Sequence, residues 1–284
     1  MTIKRFVTIL GVTACAGLVL TACSGKKEDA KTVTVGLMTK TASDEARWDK
    51  IEETLKKDGI KLVYKEFTDY SQPNKAVASD EVDINAFQTY NYQDNWNKEN
   101  KGNLVTIAET YISPLNLFSG TDQAVKAKYQ SVDDLPKGAR IAIQNDATNA
   151  SRALFVLQGA GLITLNVSSD KLASQANIVE NKKDITIKEL DASQTARALK
   201  SVDAAIVNNN YAVPAKLDYK SSLYKEKADE NAKQWFNILT GKKGWEKSPK
   251  AKAIKALVKA YQTDEVKKII IKTSNGVDLP VWDK

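Results

Sequence analysis

Strand-like and helix-like segments alternate along this chain, and that alternation limits the fold to the α/β class. The segment "TVTVGLM" at 32–38 is apolar and β-branched, as in a buried strand. The helix-like segment that follows it carries Trp48, Ile51 and Leu55 at helical spacing, and Ser43 or Asp44 is its predicted cap. Such a strand-helix-strand order favours a parallel or mixed sheet with helices packed on its faces.

The alternation runs twice, which predicts two α/β lobes. The first run ends near Pro114, and the second begins after Gly120. One strand and two helices are predicted after Trp235, so the chain should cross between the lobes twice and finish in the first. We therefore predict lobe 1 at 32–112 plus 235–284 and lobe 2 at 113–234, with a ligand cleft between them.

The first residues of the chain read as a secretory signal peptide at 1–22. Lys4 and Arg5 precede an apolar stretch that is shorter than the roughly 20 residues of a membrane span. The letters "LTAC" end at Cys23 and resemble the bacterial lipobox, with a charged tether at 23–31. We predict that Cys23 carries a lipid that anchors the protein on the extracytoplasmic face of the cell membrane. The alternative is a conventional signal peptide that merely ends near a cysteine.

The composition leaves few means of catalysis. The chain has no histidine and two cysteines, of which Cys15 lies in the predicted signal peptide and Cys23 at its end. The mature chain would therefore lack the imidazole and thiol that Ser-His-Asp triads, Cys-His pairs and ordinary zinc sites need. It also lacks the glycine-rich loops of nucleotide-binding proteins. We predict no catalytic residue, no metal and no cofactor. The net charge of +7 is spread along the chain, which argues against a nucleic-acid partner.

Arg152 is a candidate anion-binding residue. It follows the polar stretch "QNDATNAS", and an apolar helix begins there. With Thr148 or Asn149 as the helix cap, Arg152 would lie in the first turn, where free N–H groups and the helix dipole favour an anion. Its planar guanidinium matches a carboxylate. The alternative is an arginine that lies on a solvated face or pairs with Asp146, and position alone leaves this alternative and anion binding equally open.

Two further clusters could line a cleft. Aromatic residues are concentrated between residues 64 and 111, and Phe87, Tyr90 and Tyr92 follow the end of a predicted strand. Rings at that position would form an apolar slot with phenolic donors. Core packing is the competing interpretation, and we favour it for Tyr64, Phe67 and Trp96. The amides at 208–210 could bind a zwitterion, although turn formation or helix capping is the better interpretation from the residues alone.

Four segments together resemble one known family. They are "FTDYSQPNKAVASDEVDINAFQTYNY", "SVDDLPKGARIAIQNDATNASRALFVLQGAGLI", "DITIKELDASQTARAL" and "DAAIVNNNYA". In this order they resemble the NlpA/MetQ group, the methionine-binding lipoproteins of ABC importers. The resemblance implies a two-lobed, type II-like periplasmic-binding-protein fold. It also implies a monomer that captures a free amino acid and delivers it to an ABC permease and its ATPase subunit.

The resemblance also implies roles for individual residues. Arg152 would bind the ligand carboxylate with Asn149 and Asn208 as its amide partners. The rings around the ligand side chain would be Tyr70, Phe87 and Tyr92. Thr89 departs from the family pattern, because "FQT" stands where members typically have "FQH".

That departure leaves the ligand open. We expect L-methionine first, with another amino acid or a methionine-containing short peptide as alternatives. A surface adhesin with a vestigial cleft is the alternative from a different class. Without an imidazole at position 89, pH should not switch the pocket through a histidine.

Overall fold

The structure is a computed structural model that describes residues 29–122, 126–227 and 231–282. The predicted signal peptide and the predicted lipid attachment at Cys23 lie outside the described residues. Within those residues, none of the helices is long and apolar enough to cross a membrane.

The described residues form fourteen strands and eight α-helices, and five single turns of 3-10 helix lie between them. In chain order the strands are β1 (Thr32–Met38), β2 (Lys61–Phe67), β3 (Ile84–Thr89), β4 (Leu104–Glu109), β5 (Tyr111–Ile112), β6 (Asn116–Ser119), β7 (Arg140–Gln144), β8 (Ile163–Leu165), β9 (Ile178–Asn181), β10 (Thr186–Leu190), β11 (Ala204–Val207), β12 (Tyr224–Lys225), β13 (Asn237–Lys242) and β14 (Leu279–Pro280). The helices are α1 (Ala42–Lys56), α2 (Pro73–Ala78), α3 (Tyr90–Asn100), α4 (Ala147–Gly159), α5 (Ala192–Ala198), α6 (Asn209–Ala212), α7 (Ala251–Tyr261) and α8 (Asp264–Thr273).

The strands form two five-stranded sheets of the same design. The first has the order β2-β1-β3-β13-β4, and the second has the order β10-β7-β11-β6-β12. In each sheet the first three strands of this order run parallel to one another, and the fourth strand of the order, β13 or β6, runs antiparallel to them. The fourth strand of each sheet is supplied by chain that has just crossed from the other lobe. The fold is thus two-lobed and α/β, as the sequence predicts.

Apolar side chains bury both faces of each sheet. In the first lobe Trp48 of α1 is 1% exposed, and its ring lies 5.6 Å from that of Tyr261 in α7. In the second lobe Leu154 and Leu157 of α4 are both inward, as their spacing predicts. We retain 32–112 plus 235–284, and 113–234, as the proposed limits of the lobes.

Two helix caps differ from the sequence prediction. Helix α1 is capped by Thr41, and not by Ser43 or Asp44, because the Thr41 side chain accepts from the Asp44 amide while the Asp44 carboxylate accepts from Thr41 in return. Helix α4 is capped by Asp146, and not by Thr148 or Asn149. The pairs β8–β9 and β5–β14 were not predicted at all, since strands of two to four residues are too short to show alternation.

Candidate functional site

A cavity lies between the two sheets, where the carboxyl ends of β3, β7 and β11 face each other. Its volume is about 50 Å³, enough for a few water molecules. All seven residues predicted for the ligand site line this one cavity: Tyr70, Phe87, Thr89, Tyr92, Asn149, Arg152 and Asn208. The structure thus brings them together, while the role of each remains a prediction.

Three aromatic rings form one wall. The ring of Tyr70 lies 5.8 Å from that of Phe87 and 6.1 Å from that of Tyr92, and the last two are 5.6 Å apart. The Tyr92 hydroxyl donates to the Tyr70 carbonyl at 3.0 Å, which fixes the spacing of the two phenols. Burial raises the pKa of both, so their hydroxyls are protonated at neutral pH. This wall is apolar on its face and offers donors at its edge.

Thr89 has a structural task that the sequence prediction did not include. It caps helix α3, and its hydroxyl accepts from the Tyr92 amide at 3.4 Å. Capping by threonine satisfies an otherwise unpaired N–H at the helix start. Thr89 therefore helps to place Tyr92 as well as lining the cavity.

The Arg152 guanidinium is paired with a carboxylate of the protein itself. Its Nε and Nη2 donate to Glu226 Oε1 and Oε2 at 2.8 and 2.7 Å, and Nη2 also donates to the Ser113 carbonyl at 2.9 Å. Trp235 stacks on the guanidinium, with 4.9 Å from Cζ to the ring centre. Arg152 is 4% exposed, so it does not lie on a solvated face. Its carboxylate partner is Glu226 and not Asp146.

The start of α4 also differs from the prediction. Because Asp146 is the cap, Arg152 falls in the second turn of the helix and not the first. The Asp146 carboxylate accepts from the Asn149 amide at 2.9 Å and from Thr148 Oγ1 at 2.9 Å, so the helix end already holds an anion. Burial raises the pKa of Asp146, while these hydrogen bonds oppose the increase. The helix dipole is therefore not free for a ligand.

The two predicted amide partners form a chain of hydrogen bonds with each other. Asn208 Nδ2 donates to Asn149 Oδ1 at 2.8 Å, and Asn208 Oδ1 accepts from Gln144 Nε2 at 2.7 Å. Asn149 Nδ2 in turn donates to Asp146 at 3.0 Å. These hydrogen bonds fix both side-chain amides at the cavity wall, because each amide bonds to other side chains of the protein.

Residues of α6 hold the two lobes together beside the cavity. Asn209 Nδ2 donates to Asp278 Oδ1 at 2.9 Å, and the rings of Tyr70 and Tyr211 make a tilted contact with centres 5.2 Å apart. Asp278 also accepts from Ser113 in the crossing segment, and its burial raises its pKa. These contacts join the second lobe to the first, so the structure is in a closed conformation.

Sequence reasoning missed several residues at the cavity. Asn237, the first residue of β13, lines it, and its side chain makes no hydrogen bond within the described residues. Glu226 was not singled out, because it lies 74 residues from its partner in the chain. No local pattern marks either residue. The pairing of β12 with β6 places Glu226 beside Arg152, and the second crossing between the lobes places Asn237 at the cavity.

Comparison with known proteins agrees with this arrangement. Residues 33–282 match the family described as NlpA lipoprotein. A probable D-methionine-binding lipoprotein MetQ of Haemophilus influenzae is 35% identical over 268 residues, which cover 91% of this chain and 92% of that protein. The substrate-binding protein of a methionine transporter from Streptococcus pneumoniae is 59% identical with a TM-score of 0.86, covering 89% of this chain and 96% of that one. A nutrient-binding protein from Burkholderia cenocepacia, solved bound to methionine, is 34% identical with a TM-score of 0.77, covering 87% and 99%.

Two α/β lobes that meet at a cavity define the class of two-lobed substrate-binding proteins. Within that class, the chain belongs to the NlpA lipoprotein family.

Proposed function

We propose that the protein is a lipid-anchored substrate-binding protein that captures methionine and delivers it to an ABC permease. The observation that carries the proposal is the cavity itself, which is lined by Arg152 and by the three aromatic residues Tyr70, Phe87 and Tyr92. A guanidinium binds a carboxylate, and aromatic faces and edges make favourable contacts with a thioether. The names of the relatives from Haemophilus influenzae and Streptococcus pneumoniae support the same ligand.

Some donors at the cavity are left for a ligand. Arg152 Nη1 makes no hydrogen bond within the described residues, and neither does the side-chain amide of Asn237. We assign Arg152 to the ligand carboxylate, with Asn149 and Asn208 as the wall that supports it. We assign the three rings to the ligand side chain and Thr89 to the floor beside them.

The delivery step and the location follow from the same proposal. Cys23 is the proposed lipid attachment, which would hold the protein at the extracytoplasmic face beside the permease and its ATPase subunit. We propose a monomer without cofactor, metal or catalytic residue. No residue of the cavity wall has the side-chain chemistry of a histidine or cysteine catalyst.

We expect methionine to raise the melting temperature of the purified mature protein by about 5–10 °C at a hundredfold excess over its dissociation constant. The reason is mass action, which contributes about 2.7 kcal/mol at that excess. A thermal-shift series would compare L-methionine, D-methionine, the other amino acids and methionine-containing dipeptides. A response to a different member would replace methionine as the ligand, and silence throughout would favour the adhesin alternative.

Loss of the hydrogen bond between the lobes should weaken binding without changing any residue that we assign to the ligand. Asn209→Ala removes the donor to Asp278, and a hydrogen bond to a charged group contributes about 1.5–3 kcal/mol. We expect methionine to dissociate about tenfold faster, because the closed state is less stable. Asn181→Ala is the control, since the Asn181 side chain bonds to the Ile185 backbone inside the second lobe and does not line the cavity. Equal dissociation rates for Asn209→Ala and the wild type, measured by stopped flow, would contradict this role.

A further inference from the structure

The nitrogens of the Arg152 guanidinium differ in their partners. Nε and Nη2 are used by Glu226 and by the Ser113 carbonyl, at 2.7 to 2.9 Å. Nη1 makes no hydrogen bond within the described residues, and Arg152 lines the cavity. A ligand carboxylate would therefore meet one nitrogen of the guanidinium and not its two-pronged edge.

Glu226 is held in place by more than its partner. Its Oε2 also accepts from the Leu115 amide at 2.8 Å, and its own amide donates to the Leu115 carbonyl at 2.9 Å. These bonds continue the antiparallel pairing of β12 with β6. If the carboxylate turned away, the buried Leu115 amide would lose its acceptor as well, so a ligand does not easily displace Glu226.

The pair has no net charge, and little water reaches it. The side chains of Arg152 and Glu226 are 5% and 16% exposed. Arg152 is the one charged residue among the described residues that line the cavity, and Glu226 compensates its charge. The Asp146 carboxylate lies behind Asn149 and adds negative charge to the surroundings.

A compensated arginine treats two kinds of ligand differently. A zwitterion brings no net charge into the cavity, whereas an anion brings one negative charge that no lining residue balances. Two ligands with the same carboxylate and the same side chain would thus be separated by the presence of the ammonium group.

We propose that Glu226 is a specificity-determining residue: by neutralising Arg152 and leaving Nη1 for the ligand, it makes the cavity select zwitterions over organic anions of the same shape. The inference rests on the proposed function, since it takes Arg152 as the carboxylate-binding residue.

The test compares methionine with its 2-oxo acid, which keeps the carboxylate and thioether but has no ammonium group. Dissociation constants for both are measured by calorimetry on the wild type and on Glu226→Gln, well below the melting temperature of each. We expect the wild type to prefer methionine at least tenfold. In Glu226→Gln we expect that preference to fall by about tenfold or more, because the uncompensated guanidinium attracts the anion.

A matched control is available in the first lobe. Like Glu226, Asp83 accepts from a cation through both carboxylate oxygens: Lys250 Nζ donates to each of them at 2.9 Å. Asp83 also accepts from the backbone amide of Thr34, and its side chain is 18% exposed. It does not line the cavity, so Asp83→Asn makes the same change in charge and should leave the preference unaltered. Glu226→Asp keeps the charge on a shorter side chain; both affinities should fall together, with an unchanged ratio.

The outcomes separate this inference from the proposed function. If the wild type binds methionine and Glu226→Gln prefers methionine over the oxo acid to the same degree as the wild type, the role of Glu226 is overturned. The proposed function is not affected by that result. A wild type that binds the oxo acid as tightly as methionine would also overturn it, even if Glu226→Gln does not fold. Absence of binding of both compounds to the wild type would overturn the proposed function and this inference with it.

Discussion

Replacement of Arg152 by methionine should weaken the binding of the ligand by about 30-fold or more. The ligand carboxylate would lose its cationic partner in a cavity with little water, which costs about 2–5 kcal/mol, and each 1.4 kcal/mol is a factor of ten. The same change should lower the free energy of unfolding by about 3 kcal/mol, because the partly buried Glu226 carboxylate would lose its partner. Calorimetry measures the first effect, and urea denaturation measures the second.

A double variant separates the two effects. In Arg152→Met with Glu226→Gln, no charge is left uncompensated, and the glutamine can still accept from the Leu115 amide. The new methionine at position 152 can contact Trp235, which stacks on the arginine in the wild type. We expect most of the stability to return and the affinity to stay low. Wild-type affinity in either variant would remove Arg152 from the site.

Phe87→Ala should lower the free energy of unfolding by about 3–5 kcal/mol and also weaken ligand binding. Phe87 is 7% exposed, so its removal leaves a cavity in the apolar cluster that supports the aromatic wall. The rings of Tyr70 and Tyr92 each lose a neighbour less than 6 Å away. The wall would then be both incomplete and less well fixed. Urea denaturation and calorimetry measure the two losses.

Phe118→Ala is the matched control for the aromatic wall. Phe118 is 3% exposed in β6 of the second lobe and packs against Tyr219 at 5.6 Å, but it does not line the cavity. Its replacement should cost a similar amount of stability with no change in the affinity of the folded protein. If the two variants bind equally well, Phe87 contributes to the core only.

The strand and helix pattern was predictable because its signal is local. The strand at 32–38 and the helix that carries Trp48 each show their periodicity within one segment, and both form as expected. The pairing of β5 with β14 joins Tyr111 to Pro280. Neither segment is long enough to show a strand pattern, so the sequence did not predict this pairing.

The sequence allowed us to predict which residues lie together at the cavity, but not their hydrogen bonds. Thr89 ends β3, Tyr92 lies in the first turn of α3 and Asn208 follows β11, so the resemblance and the strand order bring these residues together. The partner of Arg152 lies 74 residues away, and a short polar stretch such as "NDATN" offers several side chains that could cap a helix. The backbone conformation selects Asp146 as the cap, and that selection moves Arg152 into the second turn.

The position of β13 in the first sheet has a consequence for how the polypeptide acquires its native form. Strand β4 pairs with β13 alone in that sheet, and β13 is separated from it by the entire second lobe. Until residues 237–242 have been synthesised, β4 therefore lacks its hydrogen-bonding neighbour and the amino-terminal lobe is incomplete. Since distant pairing of this kind is slow to form, the nascent chain should stay unfolded in that lobe until nearly its full length is available.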